Sequence, residues 1–249
     1  MSRPFDGRLE GTPVERWRED GRRDRLPRLE LPEPVERLLV VVAHADDETL
    51  GCGGTLALAR RRGLAVDVVI VTDGAAAHGA PDTTLASTRR DEAAAALLQL
   101  GAGIGLEFLE VPDSTTPEHR DRIAAHVRRR AAGAPGTVLL LSTWTSDGHR
   151  DHRVVGEVCA TIAAEYAHPL LAAPIWLWHW ADPDDDEVPW SALARVALDE
   201  EALARTRRAR ACYRSQTEPG PDGSAPVLHP LFVRTFAGDD RLVRVRGWT

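Results

Sequence analysis

The sequence predicts an α/β class fold: a Rossmann-like, three-layer domain with a mainly parallel sheet. Three observations carry this. Apolar runs at residues 38–43, 66–71, 106–111 and 138–142 alternate with helical patterns, the rhythm of a doubly wound sheet. The first and fourth runs are continuously apolar, as in parallel strands covered on both faces. All four end in polar or ionisable residues, and ligands of open α/β sheets sit beyond the carboxyl ends of the strands.

Each element follows from local pattern. Residues 1–34 are polar, arginine-rich and broken by Gly and Pro, and read as an extension that lies over the domain or is partly disordered. Residues 35–249 form the single domain. After the first strand, Gly51, Gly53 and Gly54 are expected to let the chain turn tightly into a helix over 55–62. Further helices are expected over 89–100, 119–132, 154–166 and 203–213. Residues 174–180 alternate Ile175, Leu177 and His179 against Trp176, Trp178 and Trp180, as a strand does. Residues 232–236 and 242–245 read as short strands. Loops at 75–87, 181–190 and 219–226 are placed to shape a pocket.

A chain of 249 residues suits one sizeable core. Its net charge of −7 argues against nucleic acid as a partner, because phosphate binding needs a basic face. The clusters Arg60-Arg61-Arg62 and Arg128-Arg129-Arg130 sit among helix formers and read as solvated faces. No apolar run is long enough to span a membrane, and no signal peptide is visible, so the expected compartment is the cytoplasm. Cys52, Cys159 and Cys212 are scattered, which excludes a disulfide framework or a thiolate zinc finger. Every basic residue apart from histidine is an arginine. The absence of lysine removes Schiff-base chemistry and the phosphate-loop lysine.

The chemistry gathers at two strand ends. His44, Asp46 and Asp47 follow the first strand, and His149, Asp151 and His152 follow the fourth. Imidazole with carboxylate and no thiolate suits Zn²⁺ or a related divalent ion. Two histidines and one carboxylate leave a position open, the catalytic arrangement. With Asp46 and Asp47 adjacent, one can bind metal while the other takes a proton from water. Spacing alone leaves open whether His149 or His152 is the ligand. A dinucleotide site is disfavoured, since three carboxylates stand where a pyrophosphate would lie.

Ala43-His44-Ala45-Asp46-Asp47-Glu48 resembles the Ala-His-Pro-Asp-Asp-Glu signature of the LmbE/PIG-L family of zinc-dependent N-deacetylases, and His149-Arg150-Asp151-His152 resembles its His-x-Asp-His signature. Arg89 and Glu92, followed by Leu100-Gly101, resemble its Arg-x-x-Glu helix, and Arg214-Ser215-Gln216 its Ser-Gln element. The resemblance implies one zinc per chain on His44, Asp47 and His152. It implies Asp46 as general base and later acid, His149 as the cation that steadies the oxyanion, and Asp151 as the carboxylate that orients a histidine. The implied reaction is removal of an N-acetyl group from an acetamido sugar or sugar-like small molecule, the alternative being an amidase on a larger conjugate. The intact Asp46 and His149 speak against an inactive zinc-binding module. Ala45 replaces the usual proline. Asp147 stands where some members of the family's thiol pathways have a tyrosine. Arg89 is a candidate substrate grip, or else a partner of Glu92. Trp144, with Trp176, Trp178, His179 and Trp180, is a candidate aromatic wall or ordinary core. Asp73 is expected to shape the site from the second strand end.

Overall fold

In the computed structural model, one seven-stranded sheet runs in the order β3-β2-β1-β4-β5-β7-β6. The structure describes residues 6–72, 74, 83–132, 136–220 and 223–248. The strands are β1 Arg37–Val42, β2 Ala65–Thr72, β3 Gly105–Val111, β4 Val138–Thr143, β5 Leu170–Ala173, β6 Leu193–Val196 and β7 Asp240–Arg246. The pairs among β1 to β5 are parallel, and β7 runs antiparallel to both β5 and β6. The helices are α1 Val14–Asp20, α2 Asp47–Arg61, α3 Thr83–Leu100, α4 Arg120–Ala132, α5 Arg150–Glu165, α6 Leu177–Trp180, α7 Glu200–Arg210, α8 Arg214–Thr217 and α9 Pro230–Val233.

The alternation of side chains along β1 divides the core. Leu38, Val40 and Val42 face one side, where Leu56 of α2, Leu97 of α3 and Ala209 of α7 pack. Leu39, Val41 and Ala43 face the other, against Ile123 and Val127 of α4 and Val155 of α5. All six of these 38–43 residues are fully buried, and burying each large one contributes roughly 1.5–3 kcal/mol. This is the three-layer arrangement expected. The sheet order reverses between β1 and β4, which makes that edge the topological switch point.

Several expectations change. Gly51, Gly53 and Gly54 lie inside α2, not in the turn before it. A Cβ on Gly54 would stand 2.2 Å from Leu198 Cδ1, and one on Gly51 would stand 2.7 Å from Ala173 Cβ. These glycines let α2 press against its neighbours. Residues 174–180 form no strand; their end is the short helix α6. Residues 232–236 are helical too, since His229 caps α9 and Pro230 fits its first turn. Strands β5 and β6 had no counterpart in the sequence reading.

Within residues 6–34 the N-terminal segment packs as part of the domain. Trp17 of α1 is fully buried, edge-to-face on Trp178 at 5.1 Å, and its indole N–H donates to the Trp178 carbonyl. Pro27 and Leu29 exchange backbone hydrogen bonds with Arg195, which pairs this segment to the edge strand β6. Among the described residues no helix is long and apolar enough to cross a membrane.

Candidate active site

β1 and β4 lie side by side and parallel, so the chain leaving each strand arrives at the same place. From β1 the backbone passes through His44 and Asp46 into α2, whose first residue is Asp47. From β4 it passes through Asp147 to His149, whose Nδ1 caps α5 by accepting the Asp151 N–H at 3.2 Å. Asp151 and His152 then occupy the first turn of α5.

Three donor atoms converge here. His44 Nδ1 and His152 Nε2 stand 3.3 Å apart, and Asp47 Oδ2 lies 3.5 Å from the first and 3.3 Å from the second. The far side of each ring is held by a carboxylate. His44 Nε2 meets Asp151 Oδ2 at 3.2 Å, and His152 Nδ1 meets Asp147 Oδ2 at 2.7 Å. Those contacts put each neutral ring's proton on the far nitrogen and turn two lone pairs towards each other beside a carboxylate oxygen. Such a triangle is repulsive until positive charge, a metal ion or a ring proton, enters it. Around an ion with bonds of about 2.0–2.1 Å, tetrahedral edges are about 3.3–3.4 Å, so the donor set fits zinc. The three imidazoles of His44, His149 and His152 also cluster, with ligand atoms within 4.8 Å of one another. The tighter set is the one with Asp47, and His149 has already given Nδ1 to its cap.

The charges agree with this geometry. Burial opposes charge on His44 and His152, but the carboxylates of Asp151 and Asp47 more than offset it for His44, and those of Asp47 and Asp147 do so for His152, whose pKa is pushed up to about 9. Burial also works against ionised Asp47, yet the two imidazoles hold it well below the usual carboxylate range. His149 goes the other way: burial, then the neighbouring His44 and His152, push it far below the usual imidazole range. With Nδ1 accepting, its proton sits on Nε2.

Asp46 is the strained residue of the site, with φ of +126°, which L side chains rarely adopt. Its N–H donates to Glu48 Oε2 at 3.2 Å, and Glu48 is itself gripped by the Thr49 hydroxyl and the Tyr213 phenol. Burial, then the charge of Asp47, raise the Asp46 pKa well above the carboxylate range, while Arg89 opposes the rise.

A cavity of about 300 Å³ opens over these groups, lined by His44, Asp46, Asp47, Arg89, His149 and Trp176 among others. Gln216 of the Ser-Gln element also lines it, and Ser215 donates through its N–H and hydroxyl to Glu92, so the two weaker sequence elements meet. Glu92 is thereby committed to Ser215. Of the expected aromatic wall only Trp176 reaches the cavity, its ring stacked between His149 and Phe232. Trp144 does not line it. Its backbone N–H bonds the Ala173 carbonyl and its ring belongs to the core. Asp73 lies outside the described residues. The sequence reading missed Asp147 as the partner of His152; its place five residues before that histidine, at a strand end, was the available signal. It also missed Thr116 and the Ser114 N–H, which hold Asp151 at 2.7 and 2.9 Å.

The family model for the GlcNAc-PI de-N-acetylases, PIG-L, matches residues 39–163, which contain both halves of the site. The chain belongs to the PIG-L family. A 1D-myo-inositol 2-acetamido-2-deoxy-α-D-glucopyranoside deacetylase of Streptomyces scabiei (strain 87.22) is 33% identical over 240 residues, covering 83% of this chain and 69% of that one. Among solved structures of this fold, the A40926 pseudoaglycone deacetylase Dbv21 is 25% identical with a TM-score of 0.64, covering 86% of this chain and 99% of its own. The zinc-inhibited form of teicoplanin deacetylase Orf2 is 18% identical, also with a TM-score of 0.64, covering 84% and 98%, a likeness of fold. In this PIG-L chain the two signatures are the segments that close the donor triangle.

Proposed function

We propose that the chain is a zinc-dependent hydrolase that removes the N-acetyl group of an acetamido sugar or similar small molecule. The observation that carries this reading is the triangle of His44 Nδ1, Asp47 Oδ2 and His152 Nε2, with edges of 3.3–3.5 Å, in one cavity with Asp46. Relatives named as acetamido-sugar deacetylases support the substrate class. When bound to His44, Asp47 and His152, a zinc ion supplies Lewis acidity, lowering the pKa of water towards ~7 and polarising a carbonyl.

The rest falls to the chain's own residues. Asp46, with its raised pKa, takes a proton from the attacking water and returns it to the nitrogen as the C–N bond breaks, so acetate and a free amine leave. The Nε2–H of His149 donates to the carbonyl oxygen as negative charge develops there. Asp151 and Asp147 hold the two ring ligands in orientation. Trp176 offers an apolar face to a sugar ring.

Three measurements test the reading. Asp46→Asn should retain zinc by elemental analysis while acetate release falls about 10²–10⁴-fold; a wild-type rate removes Asp46 as base. His44→Ala and His152→Ala should purify depleted of zinc, and full occupancy would sink the ligand assignment. Across a panel of N-acyl sugars the wild-type enzyme should release acetate in preference to longer acids.

A further inference from the structure

A second cavity, of about 470 Å³, lies between the N-terminal segment and the start of β7, apart from the donor triangle. Its lining carries two inward-packed arginines. Arg23 is 5% exposed, and among the described residues its guanidinium bonds one oxygen, the Thr235 carbonyl at 2.9 Å. Its plane lies over Trp178 at 4.5 Å, and its Nε has no hydrogen-bond partner. Arg241, whose side chain is 12% exposed, donates to the Asp239 carbonyl and likewise has a buried Nε without a partner. The Thr235 hydroxyl is a third buried polar atom with none.

The carboxylates nearby act mainly on Arg241, which Asp24, Asp239 and Asp240 all favour as a cation, while Arg23 feels Asp24 alone and makes no ion pair among the described residues. Asp239 is committed elsewhere, to Arg195 at 2.7 Å and the Leu198 N–H at 2.9 Å. Asp24 is 68% exposed at the rim and contacts Arg241 at 3.5 Å, acting on Arg23 from further off. Arg18, 56% exposed and paired with Glu15 at 3.7 Å, stands at the rim of the lining. Burial, then the neighbouring Arg241, hold the Arg23 pKa well below the guanidinium value. A buried cation without a counter-charge is costly, and native proteins rarely keep several such donors orphaned in one place. Guanidinium groups beside a hydroxyl make the donor set that oxyanions take, and the volume is that of a small-molecule site.

We propose that this cavity is a binding site for an oxyanion group, phosphate or carboxylate, of a small molecule, held by Arg23, Arg241 and the Thr235 hydroxyl. The site is independent of the deacetylase reading, since it shares no lining residue with the cavity over His44.

The test is isothermal titration of the zinc-loaded protein with inorganic phosphate and, separately, with acetate, at fixed ionic strength in chloride. Saturable one-to-one binding of either anion is expected, and which of them binds more tightly assigns the class. Arg241→Gln and Thr235→Val should each weaken it about tenfold or more. Arg23→Gln should abolish it where circular dichroism shows a native fold. Asp47→Asn, which removes a metal ligand, should leave it unchanged, which separates this site from anions bound at the zinc. Absence of saturable binding, binding that survives both Arg241→Gln and Thr235→Val, or binding lost in Asp47→Asn alone would overturn the proposal.

Discussion

Replacing Asp46 by glycine should make the metal-free protein more stable while destroying its activity. At φ of +126° the residue sits far from the left-handed well near +60°, so an asparagine there gains no relief. Strain of this kind costs of order 1–3 kcal/mol. Glycine removes it but loses about 0.5–1 kcal/mol more in backbone entropy on folding. At mid-range values the net advantage of Asp46→Gly over Asp46→Asn is therefore about 1.2 kcal/mol, within about 0–2.5 kcal/mol. Both variants lose the carboxylate beside Asp47, so their difference isolates the backbone. For a chain of this length 1 kcal/mol moves the Tm by about 2–4 °C, which gives an expected gap of about 2–5 °C. The assay is thermal unfolding of both variants at pH 7.5 with a chelator present, alongside acetate release from the zinc-loaded forms. A glycine variant no more stable than the asparagine variant would refute the strain argument, whatever its activity.

Three other outcomes follow. Burial raises the Asp240 pKa from 3.8 to about 6 against the hydrogen bonds from Gly54 and Thr55 at the kink of α2. A raised carboxylate pKa means that the native state binds the extra proton, so this group's contribution is present below pH ~4 and is lost as pH rises through about 6. The full loss is about 3 kcal/mol at 1.36 kcal/mol per unit, of which about 2 kcal/mol falls between pH 4.5 and 7.5, and Asp240→Asn should abolish that part in denaturant titrations at those two pH values; an unchanged difference between them would count against it. Asp147→Asn should weaken zinc binding about 10–100-fold in competition with a chelating dye, because it loosens His152, and wild-type affinity would show that the 2.7 Å contact does not orient that ring. Arg89→Gln removes a charge that lowers the Asp46 pKa, so the acidic limb of kcat/KM should move to higher pH; a limb that stays in place or moves down would uncouple the two residues.

The sheet and the two halves of the site were legible because each is dense in local signal: apolar runs that stop at histidine and carboxylate. What was hidden depends on contacts between distant segments. Residues 174–180 alternate as a strand does, but Asp147 accepts the N–H groups of Ile175, Trp176 and Leu177 at 2.9–3.0 Å, and a strand would need those donors for its ladder. The same bonds make Asp147 part of the site, and nothing in its own neighbourhood in the chain announces them. Glycines after a strand suggest a turn; only packed against Leu198 and Ala173 do Gly54 and Gly51 show a different purpose. Trp17, alone in a polar segment, gave no periodic pattern and still fills the core.

The two halves of the site are cross-braced. His44 comes from the end of β1, yet the carboxylate that orients it is Asp151 on α5. His152 lies on α5, yet the ligand oxygen beside it belongs to Asp47 on α2. Asp151 is fixed in turn by Thr116 and Ser114 beyond β3, and Asp147 by the turn after β5. Each signature thus holds only part of its own geometry, the His44 N–H on Asp47 at 2.9 Å and the Asp151 N–H on His149 at 3.2 Å. The donor triangle exists only when β1 and β4 pair in register, from Arg37 opposite Val138 to Val41 opposite Ser142, with β3 and β5 delivering their loops alongside. At the switch point His44 takes the carboxylate behind it from the β4–α5 segment, as Asp151, while His152 takes its own from Asp147 just upstream in its own segment. The convergence of these donors thus belongs to the folded sheet and not to either short motif alone.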